Sequence, residues 1–300
     1  MPAQRAAARR SALTGTAWRF DAIGTRWIVR AEPMPPETVR AELMAAIERF
    51  DREWSRFRAD SLVCRLAREA GRVPAPPDAQ VMLEAFRQVS DATGEAVNPL
   101  VGDSLARRGY DAGLSLSDRG AHPAPSPWQR VLTWDDGELA LTRPATIDVG
   151  ALGKGRLVDI VAGIVAEHTP GRVVVDAGGD IAVRGSAEPI GLEHPFDTSR
   201  AIGVWRVADR ALCASAVNRR AWGDGLHHVL DARTGEPVRT IAATWVCADT
   251  AMRADAVATA LFFDGGPRLA HAWGADWVRM TTTGTVEWSP GCDAELFLGR

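Results

Sequence analysis

Three hundred residues, 46% hydrophobic and 24% charged, make an ordinary globular composition with length for one large domain or two small ones. A net charge of −3 and a pI near 6.1 leave no bulk attraction for nucleic acid or an anionic membrane. Cys64, Cys213, Cys247 and Cys292 show neither a C-x-x-C spacing nor a zinc-like pairing with histidine, so they read as free thiols in a reducing compartment.

The chain begins MPAQRAAARR, basic like the start of a secretion signal, but the mixed stretch SALTGTAWRFDAIG follows where an apolar run would be needed. No run approaches the ~18 apolar residues of a membrane span. The expectation is a cytoplasmic protein with a disordered basic tail over 1–17 and a single domain over 18–300. A short strand is expected around Trp27–Arg30. Pro35 and Pro36 then open a helix whose apolar stripe is Val39, Leu43, Ile47, Phe50, Trp54 and Phe57. A proline-rich loop, VPAPPD, precedes a second helix with Val81, Ala85, Phe86 and Val89 inward and Gly94 placed to end it.

From Asp111 to Pro127 the residues are mostly Gly, Ser, Asp and Pro, a surface loop. VLTW, ELALT and TIDVG look like short strands around the turn Asp135-Asp136-Gly137. A glycine-rich connection leads into a helix with Leu157, Ile160, Val161, Ile164 and Val165 inward, stopped by Pro170-Gly171. RVVVDAGGDIAVRG reads as two strands about Gly178-Gly179. More strands are expected at IGVWRV, ALCASAV and TIAATWVCA, then a helix over Met252–Phe262 and strands ADWVRMT and TVEWS. The strands show no regular βαβ rhythm. The expected fold is therefore α+β, a mixed and largely antiparallel sheet with flanking helices.

Four stretches carry chemistry. Ile147-Asp-Val-Gly-Ala-Leu-Gly-Lys-Gly155 is neither a Walker A loop nor G-x-G-x-x-G, yet it offers backbone amides at a helix N-terminus together with Lys154, an anion site. A structural turn also accounts for it. In Val175-Asp-Ala-Gly-Gly-Asp-Ile181 two glycines allow close approach to a ligand and Asp180 can accept from a sugar or amide hydrogen; a tight hairpin explains the glycines equally well. His228-Val-Leu-Asp-Ala-Arg-Thr-Gly-Glu-Pro237 contains a self-bonding turn at Asp231, Thr234 and Gly235, preceded by His228, the one obvious group for proton transfer near neutral pH. Met252-Arg-Ala-Asp-Ala-Val-Ala-Thr-Ala260 places Asp255 and Thr259 on one helix face, an oxygen-only pair that suits Mg²⁺ completed by phosphates and water; as an isolated pair they are equally a solvated acid and a helix-satisfied hydroxyl.

In this order the four stretches resemble the ApbE family. Its members carry an Asp-Leu-Gly-Gly-x-x-Lys-Gly block, a Gly-Gly-Asp/Asn-Ile block, a His-x-x-Asp-Pro-x-Thr-Gly-x-Pro block and an Ala-Asp-x-x-Ala-Thr block. Ile23-Gly24-Thr25 resembles the family's Met-Gly-Thr entry, Trp54 falls where a tryptophan closes the first helix, and Thr93-Gly-Glu-Ala-Val-Asn-Pro99 resembles Gly-Ala-Phe-Asp-Pro. The resemblance covers about residues 20–265 and implies an enzyme that takes FAD with Mg²⁺, transfers FMN to a Thr or Ser of an acceptor protein and releases AMP. By position it implies that Asp255, Thr259 and the Ala151 carbonyl hold the metal. It also implies that Asp148, Lys154, Ala96, Val97, Asn98 and Val229 contact FAD, with Trp54 near the flavin or adenine. Lys154 would stabilise phosphoryl charge and His228 would act as base. Four departures stand out: Ala232 for Pro, Ala151 for the second Gly, Asn98 for Asp and Ile23 for Met. Two alternatives remain at this stage: an FAD pyrophosphatase yielding FMN and AMP, and a flavin-binding protein with little turnover.

Overall fold

The structure, a computed structural model, describes residues 17–298; the tail expected to be disordered over 1–17 lies outside the described residues except for Ala17, which opens the first strand. Eight strands form the main sheet, and their spatial order is their order in the chain: Ala17–Ala22, Thr25–Ala31, Val173–Asp176, Asp180–Arg184, Ala211–Ala216, Ile241–Ala248, Asp276–Thr281 and Val286–Trp288. Every neighbouring pair is antiparallel. The α+β expectation holds, and within this sheet the pairing is antiparallel throughout.

The sheet is buried on both faces, which explains why its strands read as continuous apolar runs. Val173 and Val175 join Trp27, Val29, Ala182 and Cys213 beneath the helices, while Val174 points the other way with Val183, Leu212 and Trp245. The second face is covered by the strands Glu188–Glu193, Ala201–Val207 and Glu295–Leu296, through Leu192, Ile202 and Trp205. Ile241–Ala248 is buried at every position, as a central strand between two covered faces must be.

Helices Glu37–Trp54, Ala79–Thr93, Gly153–His168 and Ala251–Ala260 supply the core on the first face. Their boundaries follow local chemistry. The first helix ends at Trp54 because Ser55 is extended, so the expected stripe stops there and Phe57 is 42% exposed instead of inward. Gly94 ends the second helix in the left-handed conformation (φ 59°), as its position demanded. Val81, also expected inward, occupies that helix's first turn and is exposed, whereas Ala85, Phe86 and Val89 are buried. Thr146–Gly150, expected to be a strand, is irregular: Asp148 N–H donates to Pro99 O at 2.8 Å and Thr146 N–H to Asp103 Oδ2 at 3.2 Å, with no strand paired beside it. The cysteines are free, Cys213 and Cys247 buried and the other two half-buried. No helix among the described residues is long and apolar enough to cross a membrane.

Candidate active site

The site forms where the N-terminus of helix Gly153–His168 meets helix Ala251–Ala260 over the sheet. Gly155 makes that meeting possible: a Cβ there would lie 2.2 Å from the Ala251 carbonyl oxygen and 2.8 Å from the Asp255 Cβ. Its N–H donates to Asp255 Oδ2 at 2.9 Å. One turn on, Thr259 Oγ1 donates to the Ala151 carbonyl at 3.3 Å, so the Ala151 departure costs nothing where only its backbone is used. The three oxygen-bearing groups expected to bind metal are thus brought together across two helices.

Beneath them, Asp180 and Cys213 are directly paired on adjacent strands and face the helices. Lys154 Nζ sits 2.7 Å from Asp180 Oδ2, and Asp180 Oδ1 has no hydrogen-bond partner among the described residues. Burial alone would lower the Lys154 pKa, but Asp180 and Asp255 more than offset it and hold the ammonium charged. Asp255 is pushed up to about 8 by burial first and by the Asp180 carboxylate second, with Lys154 opposing. Two carboxyls therefore share one lysine, and a cation beside Asp255 would relieve the imbalance. Among the described residues no three His, Cys, Asp or Glu side chains form a metal centre by themselves. A hard cation can be held here by the carboxylate, the hydroxyl and the carbonyl only when ligand oxygens or water complete the shell.

Asp148 is committed elsewhere than its sequence position suggested. Its carboxylate forms an ion pair with the buried Arg56 and accepts from Gly150 N–H at 2.7 Å. Arg56 also donates to the Tyr110 carbonyl at 2.7 Å and lies against the Phe57 and Tyr110 rings. Trp54 is 2% exposed within the core, and its indole N–H has no partner among the described residues. Asn98 is buried; its amide donates to the Pro125 carbonyl and its oxygen accepts from Leu100 N–H, both at 2.8 Å. An aspartate could not make the first of those bonds, which gives the Asn98 departure a structural reason. Ala96 O accepts from Ala232 N–H at 2.9 Å, and Val97 is fixed by Thr93 Oγ1 and Ser90 Oγ, tying this segment to the histidine block. Val229 is buried against Ile241 and Phe262.

The two histidines have different positions. His227 uses both ring nitrogens on the backbone, Nε2–H to Val238 O at 2.8 Å and Nδ1 accepting from Val229 N–H at 3.3 Å. His227 is therefore a structural residue. His228 leaves Nδ1 buried with no partner among the described residues, the free lone pair a base requires. Burial, then the charge of Arg220 and then His227 push its pKa down to about 3 from an ordinary 6.5. The folded state thus favours neutral His228, a contribution present above pH 6.5 and lost as pH falls from there towards 3. His228→Asn, which cannot take up that proton, is expected to lose less stability than the parent between pH 6.5 and 4. Thermal denaturation at stepped pH measures it, and parallel curves would remove His228 from the account.

Sequence reading missed Asp159, Arg56 and Arg220. Asp159, on helix Gly153–His168, accepts from Ala251 N–H at 2.7 Å and Met252 N–H at 2.9 Å, capping the helix that bears Asp255. The one available signal was an acid set among the inward residues of an apolar helix.

Fold and site together define an α+β protein in which a lysine at one helix N-terminus meets the carboxylate and hydroxyl of a second helix. A model of the ApbE family matches residues 23–276, and the chain belongs to that family. The FAD:protein FMN transferase of Treponema pallidum is 28% identical in an alignment of 283 positions that covers 81% of this chain and 77% of that protein. The protein so named from Klebsiella pneumoniae is 27% identical in an alignment of 217 positions that covers 67% of each chain. Among solved structures, the ApbE protein of Thermotoga maritima matches with a TM-score of 0.78 at 22% identity, covering 92% of this chain and 97% of that one. The flavin transferase ApbE from Vibrio cholerae matches with 0.75 at 20%, covering 91% and 96%. At those identities the structures speak for the fold.

Proposed function

We propose that this chain is an FAD:protein FMN transferase that uses Mg²⁺ to move FMN from FAD onto a Thr or Ser hydroxyl of an acceptor protein, releasing AMP. The observation that carries the reading is the convergence of Lys154, Asp180, Asp255, Thr259 and the Ala151 carbonyl at one helix N-terminus, in a family whose named relatives are FAD:protein FMN transferases. Asp255, Thr259 and Ala151 would hold Mg²⁺, which when bound offsets charge on the diphosphate oxygens. Lys154 and the amides of the helix terminus bind and orient the diphosphate. His228 Nδ1 takes the acceptor proton as the acceptor oxygen bonds to the FMN phosphorus. The phosphorus–oxygen bond to AMP breaks at that step, and AMP leaves with the electron pair. The nearby diphosphate, being anionic, raises the basicity that burial has depressed in His228. The free thiols fit a reducing compartment such as the cytoplasm. The flavin-carrier alternative drew on Asn98 and the other departures; the two backbone bonds of Asn98 give that one departure a structural reason.

The test is AMP release from FAD and Mg²⁺, followed chromatographically with and without an acceptor domain bearing a Ser/Asp-Gly-x-Thr/Ser-Gly-Ala-Thr/Ser segment. Release should be slow alone and strongly accelerated by acceptor, with an acid-stable fluorescent flavin band on a denaturing gel. Replacing the acceptor threonine by alanine should return the background rate. Fast release that the acceptor leaves unchanged would instead establish a pyrophosphatase.

A further inference from the structure

Asp148 and Gly153 bracket a tightly closed stretch of backbone. Asp148 N–H donates to the Pro99 carbonyl at 2.8 Å, and the Asp148 carboxylate accepts from Gly150 N–H at 2.7 Å. Val149 O then accepts from Leu152 N–H at 3.1 Å and Gly153 N–H at 2.7 Å, where the helix bearing Lys154 begins. Gly150 suits this closure, because a Cβ there would lie 2.8 Å from Asp148 Oδ1. Ala151 sits inside the stretch, and its carbonyl is the one that meets Thr259 Oγ1.

The closure depends on where the Asp148 carboxylate points, and Arg56 sets that. Its Nε pairs with Asp148 Oδ2 while Nη1 donates to the Tyr110 carbonyl at 2.7 Å. The guanidinium carbon lies 4.1 Å from the centre of the Phe57 ring and 4.9 Å from that of Tyr110, so two rings also confine it. The arginine side chain is 4% exposed and the aspartate 12%, which makes this a buried pair. Nη2 is buried with no hydrogen-bond partner among the described residues, so the pair carries an unmet desolvation cost. A buried ion pair is weak evidence of stabilisation, since apolar side chains of similar volume often serve as well or better. What distinguishes this pair is what it holds: the acid that closes the stretch around Ala151.

We infer that Arg56 is a positioning residue for the metal: acting through Asp148, it fixes the Gly150–Ala151 backbone and hence the direction of the Ala151 carbonyl. The inference rests on the Mg²⁺ position of the transferase reading only for what that carbonyl holds. Tyr110 contributes by fixing the other end of the guanidinium through its own carbonyl.

The test follows thermal denaturation of the full chain as Mg²⁺ is titrated in with ADP and, separately, with FAD. It compares the parent with Arg56→Gln, Arg56→Lys, Asp148→Asn, the double variant Arg56→Gln/Asp148→Asn and the control Arg58→Gln. Arg58 lies two positions away and pairs with Glu48, Asp51 and Asp60 instead. Arg56→Gln should raise the Mg²⁺ concentration that gives half of the stabilisation about tenfold or more, as loss of a group that orients a metal ligand does. Arg56→Lys, which keeps the charge, should fall between, and Arg58→Gln should match the parent. The double variant should shift no further than the larger single shift, because both changes act on one bond. It strands no buried charge, so it decides the matter if a single variant fails to fold. A lower melting temperature with the parent's Mg²⁺ midpoint, in Arg56→Gln or in the double variant, would mark an ordinary structural pair and overturn the inference. Additive shifts would overturn it too. A parent that gains nothing from Mg²⁺ with either ligand would remove the metal position and this inference together. A parent that responds, with variants that respond alike, would remove only the role of Arg56.

Discussion

Asp255→Asn should reduce Mg²⁺-dependent AMP release by at least about 100-fold, more than is typical for loss of a group that merely orients a metal ligand. The fold should survive the change. Asn retains an oxygen for the Gly155 N–H, and it removes a charge that burial and the Asp180 carboxylate already disfavour. In the absence of Mg²⁺ the variant should therefore melt no lower than the parent. The parent should gain stability as Mg²⁺ is titrated in with FAD, by mass action, and the variant should gain little. Unchanged turnover at limiting Mg²⁺ would remove Asp255 from the metal position. A collapse of the melting temperature would show that its role is structural.

Gly155→Ala should be strongly disruptive, because it strikes the close approach of the two helices that form the site. The added Cβ would fall at 2.2 Å from the Ala251 carbonyl oxygen and 2.6 Å from its carbon, both backbone atoms that cannot rotate away. Relief requires helices Gly153–His168 and Ala251–Ala260 to separate, at a cost of about 1–3 kcal/mol or more for overpacking. Separation also lengthens the Gly155–Asp255 and Thr259–Ala151 bonds, so activity should fall by a larger factor than stability alone explains. Gly163→Ala is the control: it lies in the same helix with no atom within 4 Å of the added Cβ, and it should be neutral or slightly stabilising. Chemical denaturation and AMP release on the same samples read both effects. Equal behaviour of the two variants would show that the close approach has no energetic consequence.

What the sequence made legible was whatever is encoded within one short segment. Asp255 and Thr259 share a helix turn, Gly178 and Gly179 take up positive φ between two strands, and Asp231 closes its own turn onto Arg233 and Gly235. These depend on neighbours a few positions away, and they stand where the sequence puts them. The groups that were missed meet across long stretches of chain: Arg56 reaches Asp148 over 92 positions, and Asp159 reaches Ala251 over the same span. No periodicity or local motif marks such a partner, because the pairing is created by the packing of separate elements. The misplacements of Phe57 and Val81 have a related cause. A helical stripe is meaningful only inside the helix, and Phe57 lies beyond its end; Val81 lies within its helix but on the outward side of a first turn whose Ala79 and Met82 are buried. Asn98 shows the converse. A departure that looked functional in the sequence is explained by a single carbonyl, Pro125 O, which only an amide could satisfy.

The order of strands in the sheet also shapes how this chain can be made. Ala31 and Val173 are adjacent in the sheet but 142 positions apart in the chain. A ribosome adding ~5–20 residues per second leaves the N-terminal hairpin without its third strand for roughly 7–30 s. During that interval Trp27 and Val29, fully buried in the finished protein, have no sheet neighbour on one side, and the open edge of Thr25–Ala31 presents unpaired backbone groups. The nascent chain is therefore most exposed to chaperones and to self-association until the strand beginning at Val173 has been added. Truncations that stop short of residue 173 should be recovered as aggregates, whereas those that extend past Arg184 should gain solubility.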